Sequence, residues 1–592
     1  MKTETSSSNR VLLHGVNRVL LHDPTRGLWL RFDDAEEIVV ARTVGQVLPA
    51  LRRVEEHADA SGWAAGFVSY DAAPAFDRAN CVRPGVVAPL VWFGLFDRPT
   101  ILRQLPQRPA SCTIGDWVPA VSKAGYAESI DRIRGLIRAG DTYQVNYTFP
   151  LIADFEGDPE ALFARLVRAQ PGGYAALIET GSFAACSVSP ELFFELNGDS
   201  IRSRPMKGTR RRGVNARDDA RLREQLRASE KDRAENLMVV DMIRSDLGRI
   251  ANAGSVHVAD LFSVETYRTV LQMTSTVGAS TSASLSDIFR ALFPCASITG
   301  APKVRTTEII SELESEPRGL YTGAIGYTAP GRRSRFSVAI RTVQLDLQRG
   351  VARYDVGGGI VWDSKADDEY AECRTKAGVL LNPGDSFSLI ETMRYEPDRG
   401  IVLMRRHLDR LEGSAAFFDY PADRAALERA LAKFSSVETT RIRLTLNSDG
   451  SFALKATPMR RSHRSPVVLG FAEHPVDPDD RLLYHKTTSR ELYDRALQSA
   501  GGQVDDAILH APDGKVTETC RANIAIRVGD KMLTPPEDVG LLPGVLRGHL
   551  VDRRSLVESY MTVDDVADAD EVFVISALRG VRRAEIKPRR RR

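Results

Sequence analysis

The feature that most constrains this chain is a break in its helix and strand pattern near residue 381. Leu381-Asn382-Pro383-Gly384-Asp385 contains proline and glycine, which end regular structure and mark loops. Because 592 residues are too many for one hydrophobic core, we predict two domains, 15–380 and 388–586, joined by a linker at 381–387. Residues 1–14 are polar and serine-rich and are expected to be disordered, and 587–592 to form a solvated basic tail.

Composition limits the classes of protein to consider. Hydrophobic residues make up 43% of the chain, charged residues 27%, and the net charge is +2, so nothing favours a nucleic acid or a membrane as a partner. No apolar run reaches the ~18 residues that span a bilayer, and the start of the chain lacks the apolar stretch of a signal peptide. The six cysteines include no Cys-x-x-Cys pair, which argues against disulfides and structural zinc. We therefore expect a cytoplasmic protein.

Periodicity predicts both helices and strands, and therefore an α+β fold class. Leu28 to Phe32 is typical of a strand, and apolar residues at helical spacing predict a helix over Ser122 to Ala139 that Gly140 caps. A long helix is predicted over Ser229 to Ile250. Phe336 to Leu345 is predicted to form one continuous strand.

A lysine between a proline and a glycine is the first candidate for chemistry. It lies in Arg204-Pro205-Met206-Lys207-Gly208-Thr209, and Arg210, Arg211 and Arg212 follow at once. Nearby positive charges disfavour the ammonium form, so we expect the pKa of Lys207 to be lowered and its amine to be available as a nucleophile. The alternative interpretation of this segment alone is a solvated basic loop.

Acidic residues at helical spacing form a second candidate. Glu369, Glu372 and Lys376 are spaced i, i+3 and i+7, so they project from one face of a helix, just after the glycines 357–359. Carboxylates on one face can hold a divalent cation, and Glu235 could add another from the long helix. Solvated, charged helix faces are the alternative.

Five ordered motifs remove these alternatives, because together they resemble the chorismate-utilising enzymes over nearly all of residues 15–380. That family includes anthranilate, isochorismate and aminodeoxychorismate synthases, and its fold implies a large two-sheet sandwich with helices. The motifs are Gly140-Asp141-Thr142-Tyr143-Gln144-Val145-Asn146, Ser187-Val188-Ser189-Pro190-Glu191-Leu192-Phe193, Lys231-Asp232-Arg233-Ala234-Glu235-Asn236-Leu237-Met238, Ser297-Ile298-Thr299-Gly300-Ala301-Pro302-Lys303 and Ile340-Arg341-Thr342.

The lysine indicates the branch of that family. Anthranilate synthases usually have alanine in place of Lys207, whereas the lysine form resembles component I of aminodeoxychorismate synthase. The resemblance implies that Lys207 attacks C2 of chorismate as the C4 hydroxyl leaves, and that ammonia then enters at C4. It makes Glu191 the general acid or base and Glu235 and Glu372 ligands of Mg²⁺, with Glu369 reaching the ion through water. The substrate-binding positions that it implies are Tyr321, Arg341, the amide of Gly357, Lys376, Gln272 and Ser297.

Two positions depart from the family pattern. Gln272 stands where many members have histidine, and glutamine can donate a hydrogen bond to the leaving hydroxyl but cannot protonate it. Glu191 would then carry more of the acid role. Pro294-Cys295-Ala296 replaces the Gly-Gly that the family prefers before Ser297.

Residues 386–585 resemble the class IV, branched-chain-type aminotransferases and aminodeoxychorismate lyase, which implies an α/β domain that uses pyridoxal phosphate. The matching motifs are Tyr484-His485-Lys486-Thr487-Thr488, Val516-Thr517-Glu518-Thr519-Cys520-Arg521-Ala522-Asn523, Leu533-Thr534-Pro535-Pro536 and Gly540-Leu541-Leu542-Pro543-Gly544-Val545-Leu546-Arg547. The resemblance makes Lys486 the Schiff-base lysine and Glu518 the partner of the pyridine nitrogen. It places the phosphate on Arg410, Ser576 and the amides of Val545 and Leu546, and substrate near Thr392.

Together these features predict a bifunctional enzyme that makes 4-aminobenzoate, for folate, from chorismate and ammonia. The sequence holds no Gly-x-Cys-x-Gly elbow of a glutaminase, so ammonia is expected from solution or from a separate amidotransferase chain, and a homodimer through the second domain is compatible with the resemblance. The alternatives are anthranilate synthase, a synthase fused to a D-amino-acid or branched-chain aminotransferase, and a binding module without catalysis.

Overall fold

The computed structural model describes residues 17–85, 88–105, 111–268, 270–381, 387–459 and 466–587. The predicted disordered start, most of the predicted linker and the tail after Lys587 lie outside these residues. The chain forms two compact units, Met1–Arg211 with Arg223–Asp385, and Arg212–Leu222 with Ser386–Arg592. The predicted first domain, 15–380, therefore includes an eleven-residue segment, Arg212–Leu222, that belongs to the second unit.

Two antiparallel sheets form the frame of the first unit. Among the described residues, one sheet has eleven strands, which follow the order Gly300–Ala301, Gln144–Gly157, Val351–Ile360, Thr342–Asp346, Phe183–Ser189, Tyr174–Thr180, Asn17–Asp23, Leu28–Phe32 and Thr100–Leu102, with Cys112–Ile114 and Val118–Pro119 also paired to Gln144–Gly157. The other has ten, in the order Met206–Arg211, Val270–Ser280, Ser200–Arg204, Leu192–Asn197, Arg333–Val338, Ala324–Ala329, Trp63–Val68, Val91–Phe96 and Glu37–Ala41, with His257–Thr266 paired to Val270–Ser280.

The two sheets share a hydrophobic core. Val19 and Phe32 from the larger sheet pack in one buried cluster with Phe67 and Trp92 from the smaller one. Alternating strand residues point to opposite faces, so each sheet can bury one face against the other. The predicted two-sheet sandwich is confirmed.

Helices cover the sheets and follow the predicted boundaries closely. Ser122 accepts a hydrogen bond from the amide of Gly125 at the start of the helix Lys123–Ala139, and Gly140, with φ 84°, ends it in the left-handed conformation that glycine adopts freely. Ser229 caps the long helix Glu230–Gly248 in the same way. The other helices of this unit are Val44–Asp59, Ala73–Phe76, Pro159–Ala169, Leu285–Leu292, Lys303–Leu313 and Ala366–Leu381, and Ala216–Ala228 begins in the second unit.

The predicted continuous strand from Phe336 to Leu345 is wrong. Arg333–Val338 belongs to the ten-stranded sheet and Thr342–Asp346 to the eleven-stranded sheet, so the chain changes sheets between them. Arg341 lies at the change with φ 50°, a left-handed conformation that is uncommon outside glycine and marks strained sites. No glycine or proline occurs between Val338 and Thr342, so periodicity could not reveal the break.

The second unit contains two separate sheets. A four-stranded antiparallel sheet has the order Gly400–Ile401, Leu389–Glu396, Thr440–Leu446 and Phe452–Pro458. An eight-stranded sheet, with both parallel and antiparallel pairs, has the order Val516–Thr519, Asp506–His510, Val467–Phe471, Gly580–Ile586, Glu571–Ser576, Asn523–Val528, Lys531–Thr534 and Val557–Glu558. Its helices are Met404–Phe417, Arg424–Ala432, Glu491–Ser499, Val545–Asp552 and Val563–Ala567. The mixed helix and sheet content agrees with the predicted class.

In the part of the chain that the structure describes, no helix combines the length and the apolar character needed to cross a membrane.

Candidate active sites

One cavity of about 480 Å³ in the first unit brings together every site residue that the sequence predicted there. Its lining includes Glu191, Lys207, Glu235, Gln272, Ser297, Tyr321, Arg341, Gly357, Glu369, Glu372 and Lys376. These residues come from both sheets and from two helices, so only the folded unit makes them neighbours. Their individual roles stay predictions.

Lys207 is presented by an irregular strand. The pairing of Met206–Arg211 with Val270–Ser280 shifts register between Met206 and Thr209, and Gly208 adopts φ 86° inside this bulge. A bulge re-aims a side chain away from the regular pleat. Gly359 leaves room for the amine, because a Cβ there would lie 2.8 Å from Lys207 Nζ and 2.4 Å from Gln144 Nε2 and would displace these side-chain ends. The amine therefore lies close to the backbone of the strand Val351–Ile360 at Gly359.

The pKa of Lys207 is lowered, as predicted, but the predicted cause is wrong. Burial in the cavity is the largest effect, because it disfavours the ammonium form. The nearby cation that adds to it is Lys376, and not the flanking arginines. Glu235 and Glu191 act in the opposite direction.

Gln272 forms two hydrogen bonds with the strand residues that follow Lys207. Its Nε2 donates to the carbonyl oxygen of Gly208 at 2.9 Å, and its Oε1 accepts from the hydroxyl of Thr209 at 2.9 Å. The orientation of the amide is fixed, because a carbonyl oxygen can only accept. Gln272 thus spans the residues that follow Lys207.

Glu191 is a buried carboxyl group at the end of a short chain of hydrogen-bonded side chains. The Oγ of Ser297 donates to Glu191 Oε1 at 2.5 Å, and the Sγ of Cys295 lies 3.2 Å from the same Oγ. Burial raises the pKa of Glu191 to about 7, while the bond from Ser297 and the charge of Lys207 oppose the rise. A carboxyl with this pKa can donate or accept a proton near neutral pH.

Arg341 is a half-buried cation without a carboxylate partner among the described residues. Its Nη1 donates to the Oε1 of Gln170, and burial lowers its pKa. A buried charge is costly unless it is paired, and this one lines the cavity beside the buried ring of Tyr321. The cavity therefore suits an anionic ligand, and a guanidinium can hold a carboxylate through two bonds.

The three predicted metal ligands line the cavity but do not form a preformed metal cluster. Within the described ranges, no three His, Cys, Asp or Glu side chains are placed to hold one ion. Glu372 pairs with Lys376 at 2.8 Å, Glu369 accepts from Ser364 at 2.7 Å, and Lys376 also donates to the carbonyl of Gly357 at 2.8 Å. Burial raises the pKa of Glu369, and Glu372 adds to the rise.

A second cavity, of about 560 Å³, lies in the second unit and is lined by Lys486, Glu518, Arg410, Thr392, Val545 and Ser576. Lys486 lies next to the strand Leu389–Glu396, because its backbone carbonyl oxygen accepts a hydrogen bond of 2.9 Å from the amide of Ile390. Burial lowers the pKa of Lys486 to about 8, and the charge of Arg410 adds to the shift. A neutral amine is thus accessible near physiological pH.

Glu518 is fixed by two donors. The hydroxyl of Tyr493 donates to its Oε1 at 3.0 Å, and the Nδ2 of Asn523 to its Oε2 at 3.3 Å. Burial raises the pKa of Glu518 to about 8. A protonated pyridine nitrogen beside this carboxylate would offset that cost, so the residue fits the role of pyridinium partner.

Arg410 is held by a buried acid. Its Nε and Nη2 each donate to Glu391 at 2.8 Å, and His407 Nδ1 lies 2.7 Å from the same carboxylate. Burial opposes ionisation of Glu391, but the charge of Arg410 and the hydrogen bond with His407 prevail and lower the pKa of Glu391 to about 2. His407 Nε2 is buried, lines the cavity and has no hydrogen-bond partner in the structure as described. It is an orphaned polar atom of the kind that a bound ligand satisfies.

Of the residues predicted to bind the phosphate, Val545 and Leu546 would use their backbone amides, whereas Ser576 would use its side chain. Val545 starts the helix Val545–Asp552, whose first amides are free to bind an anion. The side chain of Leu546 does not line the cavity and packs in a hydrophobic cluster, so only its amide can serve the predicted role. Ser576 lines the cavity, and its Oγ accepts from the amide of Arg579 at 3.2 Å.

Sequence reasoning missed Gln170, Glu391 and Tyr493. Gln170 and Tyr493 lie in amphipathic helical stretches with nothing to single them out. A signal existed for Glu391, which is an acid that directly follows the apolar Leu389 and Ile390 in a strand and is almost completely buried.

Comparison with known proteins agrees with this architecture. In the first unit, the two-sheet sandwich holds a cavity lined by the amine of Lys207 and the guanidinium of Arg341, which is the kind of site at which an enzyme binds an anionic substrate. Residues 17–382 match the family model of the chorismate binding enzymes, and the chain belongs to that family. Residues 388–585 match the model of the class IV aminotransferases, a class that implies pyridoxal phosphate as cofactor.

Relatives cover only part of the chain. An aminodeoxychorismate synthase of Streptomyces griseus is 44% identical over 279 residues, which is 47% of this chain and 38% of that protein. Component 1 of the Salmonella typhimurium aminodeoxychorismate synthase is 39% identical over 283 residues, 48% of this chain and 62% of that protein. The matches thus span less than two thirds of either relative. Anthranilate synthase component I of Streptococcus pneumoniae shares the fold, with a TM-score of 0.51 and 24% identity over 63% of this chain and 94% of its own.

Proposed function

We propose that the first unit converts chorismate and ammonia into 4-amino-4-deoxychorismate, and that the second unit eliminates pyruvate from that product to give 4-aminobenzoate. The observation that carries this proposal is the amine of Lys207. It has a lowered pKa and lines a cavity that also holds Glu191 and the guanidinium of Arg341, which has no carboxylate partner among the described residues. An amine with a lowered pKa beside a carboxyl that can donate a proton is the arrangement needed for covalent substitution.

The proposed first reaction has two displacements. The neutral amine of Lys207 forms a bond to C2 of chorismate, both conjugated double bonds of the ring shift, and the C4 hydroxyl leaves as water with a proton from Glu191. Ammonia then bonds to C4, the two double bonds return to their original positions, and the bond from C2 to Lys207 breaks. Glu191 recovers its proton from the incoming nitrogen, so the sum is chorismate plus ammonia giving the amino product plus water.

The remaining cavity residues bind the substrate in this proposal. Arg341 pairs with one carboxylate of chorismate, and the hydroxyl of Tyr321 supports the other. Glu235 and Glu372 would hold Mg²⁺, with Glu369 acting through water. The donor set fits that ion, because Mg²⁺ commonly takes one or two protein carboxylates and completes its shell with water and substrate oxygens. When bound, the ion would neutralise the ring carboxylate.

In the second unit, Lys486 and Glu518 carry the proposed elimination. Pyridoxal phosphate, when bound, draws electrons from the carbon that bears the substrate amine. The amine of Lys486 removes the proton from C4 of the ring, and the ring becomes aromatic as the enolpyruvyl group leaves as pyruvate. Glu518 would stabilise the charge of the pyridine nitrogen. The phosphate would be held by Arg410, the amides of Val545 and Leu546, and Ser576.

The first reaction needs a source of ammonia. Because the matched Salmonella relative is named as a component 1, we propose that a separate glutamine amidotransferase chain supplies ammonia, and that ammonium salts can replace it in the test tube.

Product analysis tests both reactions. The protein is incubated with chorismate, an ammonium salt, Mg²⁺ and pyridoxal phosphate, and products are separated by chromatography. Equal amounts of 4-aminobenzoate and pyruvate are expected. Accumulated aminodeoxychorismate would overturn the lyase assignment, and anthranilate would overturn the assignment of the first unit.

Two variants locate the chemistry. Lys207→Ala should abolish ammonia-dependent turnover, and Lys486→Ala should stop pyruvate release while aminodeoxychorismate accumulates. Lys365→Ala is the matched control, because Lys365 is exposed and lies outside the lining of the first cavity. Full activity of Lys207→Ala would remove the nucleophile from the proposal.

A further inference from the structure

The second cavity is strongly cationic for a site that handles an amino substrate. Among the described residues, seven arginines line it together with Lys486, against the carboxylates of Asp505, Asp506 and Glu518. The lining also contains apolar side chains such as Ile390, Val467 and Leu578, but the concentration of guanidiniums suits a ligand with several negative charges.

Three of these arginines already form hydrogen bonds with other groups of the protein. Arg410 is bound to Glu391, as described above. Arg490 donates to the carbonyl of Cys520 and stacks on the ring of Tyr493 at 4.2 Å, and Arg521 donates to the carbonyl of Asp505 at 3.4 Å. They shape the cavity but offer few free donors.

The other four have no ion-pair partner within the described residues. Arg441 and Arg443 are two positions apart on the strand Thr440–Leu446, so they project from the same face, and Arg443 lies opposite Thr392 in the neighbouring strand. Arg394, opposite Arg441, is paired with Glu396 at 3.1 Å and does not line the cavity. The free guanidiniums are thus those that face the cavity.

The second pair comes from the eight-stranded sheet. Arg579 lies in the turn between Glu571–Ser576 and Gly580–Ile586, and Arg582 on the second of these strands. Burial lowers the pKa of Arg582 and the charge of Arg579 adds to the shift, while Asp505 and Asp506 oppose it. Asp506 is engaged by Thr519 Oγ1 at 2.8 Å, and Asp505 accepts from the amide of Val468 at 3.0 Å. Arg583, the next residue, pairs instead with Glu571 at 3.3 Å.

We propose that Arg441 with Arg443, and Arg579 with Arg582, form two cationic pairs that make the second cavity selective for a dicarboxylate. The pairs belong to two different sheets but line the same cavity, so a ligand with two carboxylates offers one anion to each pair, whereas a monocarboxylate amino acid leaves one pair unsatisfied. Planar guanidiniums bind carboxylates through paired hydrogen bonds. The inference deepens the proposed lyase reaction, whose substrate carries a ring carboxylate and an enolpyruvyl carboxylate, and for that substrate it rests on the proposed function.

Binding to the cofactor-loaded full chain tests the proposal independently of turnover. The absorbance of bound pyridoxal phosphate reports on the second cavity alone, so ligand binding in the first cavity does not interfere. Benzene-1,3-dicarboxylate should perturb this absorbance with a dissociation constant at least ~10-fold lower than that of benzoate, because one charged hydrogen-bonded contact contributes enough for about tenfold. Equal affinities for the two probes would overturn the selectivity.

Matched arginine variants locate the effect. Arg443→Gln and Arg582→Gln should each weaken dicarboxylate binding roughly tenfold, and Arg443→Lys should restore part of it. Arg394→Gln and Arg583→Gln are the controls, since both side chains are paired and lie outside the cavity lining. If Arg443→Gln or Arg582→Gln lowers pyridoxal phosphate affinity instead, the arginines hold the phosphate and the proposal is wrong.

Turnover then separates this inference from the proposed function. With aminodeoxychorismate as substrate, the same two variants should raise KM and largely keep kcat. If wild-type protein releases no pyruvate yet still prefers the dicarboxylate probe, the lyase proposal fails and the binding site stands. If pyruvate is released but the variants leave KM unchanged, the binding site is wrong and the lyase stands.

Discussion

Gln272 and Thr209 are joined by a hydrogen bond of 2.9 Å between the glutamine Oε1 and the threonine hydroxyl. The same side chain donates to the carbonyl of Gly208, so it closes the bulge that presents Lys207. The sequence suggested a different role, a donor to the leaving hydroxyl. From this geometry we infer that Gln272 is a positioning residue that acts on Lys207 through the strand bulge.

Replacing Gln272 should therefore reduce kcat more than binding. Gln272→Ala removes both bonds, and we expect kcat to fall on the order of 10- to 100-fold with KM for chorismate nearly unchanged, because a small displacement of the nucleophile is costly. Gln272→Glu should be worse, since a carboxylate facing the Gly208 carbonyl can only accept. Steady-state kinetics measure the split. Gln225→Ala, which removes only a bond to Arg210, is the control, and an unchanged kcat in Gln272→Ala would contradict the role.

Gly359→Ala should displace the amine of Lys207. Its Cβ would lie 2.8 Å from Lys207 Nζ and 2.4 Å from Gln144 Nε2, closer than real contacts allow. We expect aminodeoxychorismate formation to fall by at least ~100-fold while the circular dichroism spectrum is retained. Gly135→Ala is the control, because nothing lies within 4 Å of its Cβ and a helical alanine should stabilise the chain by ~0.5–1 kcal/mol. Normal activity of Gly359→Ala would show that Lys207 is not held where the structure has it.

Capture of pyridoxal phosphate should depend on pH with the lowered pKa of Lys486. Only the neutral amine reacts, so below a pKa of about 8 the capture rate should rise nearly tenfold per pH unit and become constant above it. An ordinary lysine, with a pKa near ~10.4, would keep gaining rate beyond pH 9. Stopped-flow absorbance after mixing with the cofactor distinguishes the two curves. Lys486→Arg should show no covalent capture at any pH.

The segment Arg212–Leu222 should be required for a stable second unit. The Nε2 of His485, next to Lys486, donates to the carbonyl of Val214 at 3.2 Å, and Val214 packs in a buried cluster with Tyr484 and Tyr493. A fragment of residues 386–592 loses that acceptor and opens a cavity, which should cost ~2–4 kcal/mol of unfolding free energy.

Urea unfolding of the fragment measures this loss. Addition of a peptide of residues 212–222 should recover part of the stability, whereas the same peptide with Val214→Asp should not. A fragment as stable with no peptide as with it would mean that the second unit folds without the segment.

Local patterns were sufficient for much of this protein. The cap at Gly140 and the helix Glu230–Gly248 agree with prediction because caps and periodicity are properties of short stretches. The two-sheet fold agrees because the ordered motifs implied the family. The residues Lys207, Glu191 and Arg341 were also found from their motifs, and the structure places them in one cavity.

Other features depend on contacts between distant residues, and only the tertiary structure decided them. Arg341 breaks a strand that its neighbours favour, because each side of it pairs in a different sheet. The pKa of Lys207 falls through burial and Lys376, which is 169 positions away in sequence, and not through the adjacent arginines. The sequence by itself thus determined which groups are present, whereas folding determined their burial and neighbours, and these set the charge and reactivity of each group.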